Sequence, residues 1–318
     1  MASRTAASTT STSTEIMPED QYGELLDTYG QKFEVPNFTI KQIRDAIPAH
    51  CFQRSALRGF SYIARDIILL ASTFYTFNSC VTPENVSSYP LRFALWTLYT
   101  ILQGLFGTGL WVIAHECGHQ SFSPSKTLND TTGWVLHSAL LVPYFSWKIS
   151  HGKHHKSTAH MERDMVFLPK TRSVYANRVR KAVDEISELA EEAPLMTAAM
   201  LIGRQLVGWP AYLIMNKTGH DNHAEQKEGR GKGKKNGLGK GVNHFDPQSP
   251  LYNAKDAKYI ALSDLGLGLM ALVLYELAQA YGWNNLLVWY FVPYLWVNHW
   301  LGMSFFPPYN RLYHHTRD

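Results

Sequence analysis

His115 and His119 fall four residues apart in the stretch GLWVIAHECGHQSF, and His151, His154 and His155 follow in HGKHH. On a helix, residues four apart share a face one turn from each other, so the first pair can bind a common metal ion. Taken literally, HECGH is also H-E-x-x-H, in which Glu116 would act as general base for a zinc-bound water and a further protein ligand would arrive from downstream. That ligand is missing where such an enzyme would need it. Between His119 and Glu162 the only carboxylate is Asp130, and Phe122 and Ser125 stand where glycine and histidine would be required. HGKHH arrives instead, and its H-x-x-H-H spacing puts two rings on one helix face with the third beside them. These five imidazoles exceed the roughly three protein ligands of an open zinc site, and they point to a larger, two-metal, all-nitrogen site. Imidazole suits zinc, copper, iron and nickel alike, so ligand type leaves the metal open.

The elements that must position these rings are long and apolar. The chain has 318 residues, 45% of them hydrophobic and 13% aromatic, yet its mean hydropathy is only -0.20 because the apolar residues are gathered into blocks. Four blocks, at about 57–79, 91–114, 259–281 and 284–306, approach the roughly 20 apolar residues that a bilayer helix needs. The first, with Arg58, Arg65 and Asp66 near its start, is the weakest. The segment 133–147 is too short to cross and reads as interfacial. The segment 195–215 is long enough, but it carries Arg204 at its centre and Pro210 near its end, and the loops on both sides of it are dense in Lys and Arg. An arginine at mid-depth is costly, and the positive-inside rule places both loops on the cytosolic side, so this block is also expected to be interfacial. The turns VTPENVSSYP and YGWNN hold no Lys or Arg, as the far side of a membrane requires. The expected fold is an all-α membrane protein with two transmembrane helical hairpins and a histidine-box metal site facing the cytosol.

The remaining features carry less chemistry. Region 1–56 is expected to be cytosolic, with a Ser/Thr-rich start that lacks an apolar core and reads as a disordered tail, not a signal peptide. The run EGRGKGKKNGLGKG fits no phosphate-binding loop and reads as a flexible basic loop; no nucleic-acid partner is implied. The net charge of +4 is a topology signal and an attraction to anionic lipid. Cys51, Cys80 and Cys117 form no disulfide framework, and Cys117 reads as a packing residue. His220 and His223 read as solvated, His50, His137 and His244 as surface or hydrogen-bonded, and His160 as an outer partner of the second cluster. His299, inside the last apolar block, is a stronger functional candidate.

HECGH and HGKHH, together with PNFTIKQIRDAIPAHCFQRS, GRGKGKKNG and VNHFDPQSPLY, resemble the fungal microsomal Δ12 (oleoyl) fatty acid desaturases over nearly the whole chain, to about Leu301. The resemblance implies a membrane desaturase domain over 57–306 in the endoplasmic reticulum. It also implies two non-haem iron ions held by His115, His119, His151, His154 and His155, a fatty acyl lipid as substrate, and cytochrome b5 as electron donor. On it, Glu116 is a helix-facing or outer residue and not a protease base.

One departure stands out. The family carries a third H-x-x-H-H box past the last span, whereas here RLYHH puts Arg311 at its first position and the tail 307–318 is not familial. A C-terminally truncated product, inactive as it stands, is the expectation, since a retained intron beginning in the codons for Gly302, Met303 and Ser304 would give such a tail. His299, His314 and His315 could in principle replace the missing ligands, but the paired prolines of MSFFPPYNR break the helix and leave the last two on a short tail.

Overall fold

The computed structural model describes residues 29–32, 37–158, 160, 163–167, 194–216, 218–219 and 241–305. The expectations for residues 1–28, for His220 and His223, and for the tail with His314 and His315 fall outside the described residues. The chain divides into two units, Met1–Gln53 and Arg54–Asp318. In the first, α1 (Ile40–Ala46) starts at a capping box in which the Thr39 side chain takes the Gln42 N–H and the Gln42 side chain returns to the Thr39 N–H.

The second unit holds α2 (Ala56–Cys80), α3 (Tyr89–Gly118), α4 (Lys126–Ala139), α5 (Tyr144–Ser157), α6 (Pro194–Met215), α7 (Ala257–Tyr281), α8 (Trp283–Leu286) and α9 (Val292–Phe305). A π-helical turn, Leu287–Phe291, joins the last two. Every regular element among the described residues is helical, in agreement with the expected class. Two stretches are long and apolar enough to cross a membrane, Tyr89–Gly118 and Ala254–Tyr281. α2 is not one of them, and its charges explain why. Asp66 is buried and takes hydrogen bonds from the Arg65 guanidinium at 2.8 Å.

α3 packs against α2, α4 and α9; α9 also leans on α6, while α7 packs on α4 and α5. The last two long helices are therefore consecutive in sequence but rest on different neighbours. At 30 residues, α3 is about 45 Å long, roughly 15 Å more than the hydrocarbon core of a bilayer. Its last turn, with His115 and His119, can stand clear of the apolar layer.

The α3–α9 contact depends on absent side chains. A Cβ at Gly104 would lie 2.2 Å from the Trp296 Cβ and 2.9 Å from the Pro293 carbonyl oxygen, and one at Gly107 would lie 3.1 Å from the Val297 Cγ2. Small residues let helix backbones approach closely in lipid, where dispersion and not water drives packing. Because both clashes at Gly104 are with atoms fixed to backbone, Gly104→Ala is expected to cost about 1–3 kcal/mol through overpacking. A lower unfolding temperature in detergent, with helix content retained, is the expected reading; an unchanged one would show that α9 can shift freely.

Candidate metal centre

The C-terminal turn of α3 and the second half of α5 meet. A polar clamp at the corner between α3 and α4 holds them there. Gln120, in the left-handed region at φ 62°, ends α3. Its side-chain N–H donates to the Cys117 carbonyl at 2.9 Å and to Asp130 at 3.1 Å. Asp130 also accepts from Lys126 on its own helix and from Lys148 on α5. Burial pushes the Asp130 carboxyl up, but the hydrogen bonds and charges of the two lysines prevail and hold it below the usual carboxylate range. The one carboxylate between the two histidine clusters is therefore a brace between helices.

Four of the five histidines converge. The Nε2 atoms of His115 and His119 are 3.0 Å apart, as are those of His151 and His155. Ring nitrogens of His115, His119 and His151, one from each, all lie within 4.8 Å of one another. The His119 and His155 rings are 4.7 Å apart. Trp147, one turn before His151 on α5, stacks on it at 4.3 Å and 22° and also borders Trp111 and His115, at 5.6 and 5.0 Å. Burial, then the neighbouring rings of His115, His155, His119 and His154, push the His151 imidazole down to about 2, and burial with the same kind of crowding lowers His155. His151 and His155 are thereby held neutral, and ring nitrogens of both helices face one space, the kind of donor set that a transition metal accepts.

His154 is set apart. Its ring centroid lies 6.1 Å from that of His151 and 5.8 Å from that of His155, and its Nδ1 faces both oxygens of Asp164, at 2.8 and 2.9 Å. Asp164 is a residue that reading the sequence missed. Its only sequence signal is an acidic residue shortly beyond the HGKHH cluster.

Of the other histidines expected to be at a surface or hydrogen-bonded, His137 and His244 are both fully buried, and His244 is the hydrogen-bonded case. His137 is packed among Trp111, Tyr144 and Trp147, and burial pushes it down to about 3. His244 meets the Ser150 hydroxyl at 3.1 Å and the Leu213 carbonyl at 3.2 Å. His160 is exposed, its Nδ1 accepts the Arg163 N–H at 3.2 Å, and its carbonyl accepts the Asp164 N–H at 3.0 Å. His299 lies between Trp296 and Trp300 on α9. Cys117 is buried, as a packing residue should be. Glu116 is exposed and accepts the Ser121 hydroxyl at 2.6 Å, and HECGH finds its third partner in His151 of the same imidazole group. Nothing in this arrangement supports the zinc-protease alternative.

The family model described as "Fatty acid desaturase" matches residues 92–215, which include the five histidines of HECGH and HGKHH and Asp164. An oleate hydroxylase of Claviceps purpurea is 58% identical over 97% of this chain and 67% of its own length. A Δ12 fatty acid desaturase of Mortierella alpina is 44% identical over 87% of the chain and 66% of its own length, and one of Arabidopsis thaliana is 38% identical over 84% and 63%. The chain thus spans about two thirds of the length of the curated relatives it matches. An imidazole cluster at the end of a long apolar helix is one that unrelated metalloproteins could share, but similarity of this extent from end to end is not, and the chain belongs to the fatty acid desaturase family.

Proposed function

We propose that this chain carries the metal centre of a Δ12-type acyl-lipid desaturase, with His115, His119, His151, His154 and His155 holding two iron ions. The observation that supports it is the convergence of imidazoles at the tip of an apolar helix, in a chain of this family. The net reaction is R–CH2–CH2–R′ + O2 + 2 e⁻ + 2 H⁺ → R–CH=CH–R′ + 2 H2O. Iron supplies the activation of O2 needed to break unactivated C–H bonds, which side chains cannot do alone. The chain's own residues hold that chemistry in place. Trp147 fixes the His151 ring by stacking, the Asp130 brace holds α5 against the end of α3, and burial of His151 keeps its lone pair free of a proton. The electrons come from a separate cytochrome b5 at the cytosolic face of the endoplasmic reticulum membrane, where the acyl chain enters from the lipid.

Hydroxylation is the second reading, favoured by the identity to the Claviceps purpurea oleate hydroxylase. It needs the same oxidant and differs in its end point: R–CH2–R′ + O2 + 2 e⁻ + 2 H⁺ → R–CHOH–R′ + H2O. Both are tested by expressing the chain, alone and joined to the C-terminal third of the Mortierella alpina relative, in a yeast that makes only monounsaturated lipid. Gas chromatography is expected to show linoleate from the joined protein. A hydroxylated oleate would establish the second reading, and neither product would overturn both.

Topology is tested separately. Reporters fused after Lys170 and after Lys240 are both expected on the cytosolic side, and one in VTPENVSSYP on the lumenal side. A lumenal signal after Lys240 alone would make α6 a true span; one after Lys170 would place the second histidine cluster across the membrane from the first, against their convergence.

A further inference from the structure

We propose that Asp164 is a positioning residue for His154, holding the ring by its Nδ1–H so that the Nε2 lone pair is the one presented to metal. The inference rests on the reading of His154 as a ligand and adds what orients it. A carboxylate has no proton to give, so in this pair the hydrogen must sit on Nδ1, and the neutral ring then has its only free lone pair on Nε2. Both Asp164 oxygens lie within 3 Å of that nitrogen, at 2.8 and 2.9 Å. The other four rings are each within 3.0 Å, nitrogen to nitrogen, of a second imidazole. For His154, the near polar partner at the ring is Asp164.

The carboxylate is itself firmly mounted. Asp164 is 1% exposed and also accepts the backbone N–H groups of Val166 and Phe167, at 3.1 and 3.2 Å. The segment around it is tied to the end of α6. The Asn216 side chain donates to the Met165 carbonyl at 2.9 Å, and the Thr218 hydroxyl to the Val166 carbonyl at 2.6 Å. Asn216 can do this because it leaves α6 in the left-handed region, at φ 45°. Burying a carboxylate is costly unless its oxygens are occupied. Here two backbone groups and the His154 ring occupy them, so orientation of the ring is built into the way α6 is joined to the segment after α5. A carboxylate on the remote nitrogen of a ligating histidine sets its tautomer and raises its basicity, and removing such a partner typically weakens metal binding about 10–100-fold.

The test uses the detergent-purified chain and cobalt(II) as the probe, titrated by its visible absorption, with thermal unfolding of the metal-free protein measured in parallel. Asp164→Asn keeps an oxygen for the Val166 and Phe167 N–H groups while removing the charge that faces His154, and it is expected to weaken cobalt binding about 10–100-fold. Added to His154→Ala, the same change is expected to cost no further affinity, because the ring it orients is gone. Asp164→Ala should behave likewise in cobalt binding, with an added loss of thermal stability from the opened segment. An Asp164→Asn protein that binds cobalt like the parent would overturn the proposal, as would a loss that adds in full to that of His154→Ala. Failure of the parent chain to take up cobalt at all would instead bring down the metal-centre reading on which the inference rests.

Discussion

Alanine at His151 is expected to abolish tight metal binding, lowering affinity by more than about 100-fold, beyond the loss typical of an outer partner. No other ring among the described residues has as many imidazole neighbours. His115, His119, His155 and His154 lie at centroid distances of 4.7, 5.1, 4.4 and 6.1 Å, so removing His151 leaves the His119–His155 contact, at 4.7 Å, as the remaining link among these rings between α3 and α5. A nitrogen of its ring is also one of the three that fall within 4.8 Å of one another. Truncation leaves Trp147 without the ring on which it stacks, but Trp147 retains Trp111 and His137 as neighbours, so the helices should stay in place. The measurement is bound iron or cobalt per chain after anaerobic loading and gel filtration, with His50→Ala, an exposed residue of the N-terminal unit, as the control expected to leave it unchanged. Equal metal in the His151→Ala and parent proteins would show that the ions, if bound, are held elsewhere.

His244→Ala is expected to destabilise the fold by about 3–5 kcal/mol, from the cavity left by a buried ring and the two polar partners left unsatisfied. His244 is fully buried and joins three parts of the chain: the segment before α7, Ser150 on α5, and the Leu213 carbonyl near the end of α6. Ser150 directly precedes His151, so loss of the staple should also weaken metal binding through α5. Burial pushes the His244 imidazole down to about 4 from an ordinary 6.5. With the folded value below the unfolded one, the unfolded chain binds the proton first. The stability contribution is complete above about 6.5 and is lost as the pH falls from there toward about 4, a change on the order of 3 kcal/mol. His244→Asn, which keeps polar atoms but cannot ionise in this range, is expected to flatten that part of the stability profile. His137, pushed down to about 3 by burial, would retain a dependence of the same sign. Unfolding midpoints in urea between pH 7.5 and 4.5 would show this directly, and a profile as steep in His244→Asn as in the parent would mean that other groups carry the dependence.

Much of this protein is legible in the chain itself because the relevant signals are local. The four-residue spacing of His115 with His119, and of His151 with His155, needs only helical backbone to place each pair on one face, and the Nε2 atoms of each pair do lie 3.0 Å apart. The long apolar runs at 91–114 and 259–281 likewise specify helices of spanning length from composition alone, and the charges in α2 mark it as the weakest from the same source. The resemblance carried by HECGH and HGKHH needs no structure either.

What brings α3 and α5 to one point is not local. It depends on Asp130 meeting Lys148 across the corner between α3 and α4, on Trp147 fitting beside His115, and on the empty Cβ positions of Gly104 and Gly107 that let α9, and not α7, settle against α3. None of these pairings has a period, so no pattern along the chain announces them. The same holds for burial of the other histidines. His137 and His244 stand in an interfacial segment and a glycine-rich loop, yet tertiary packing closes both into the interior. His154, in register with its box, turns its Nδ1 to Asp164 because the segment holding that carboxylate is pinned from α6, far along the chain. Spacing along a helix decides which residues share a face; only the packing of one helix on another decides what that face meets.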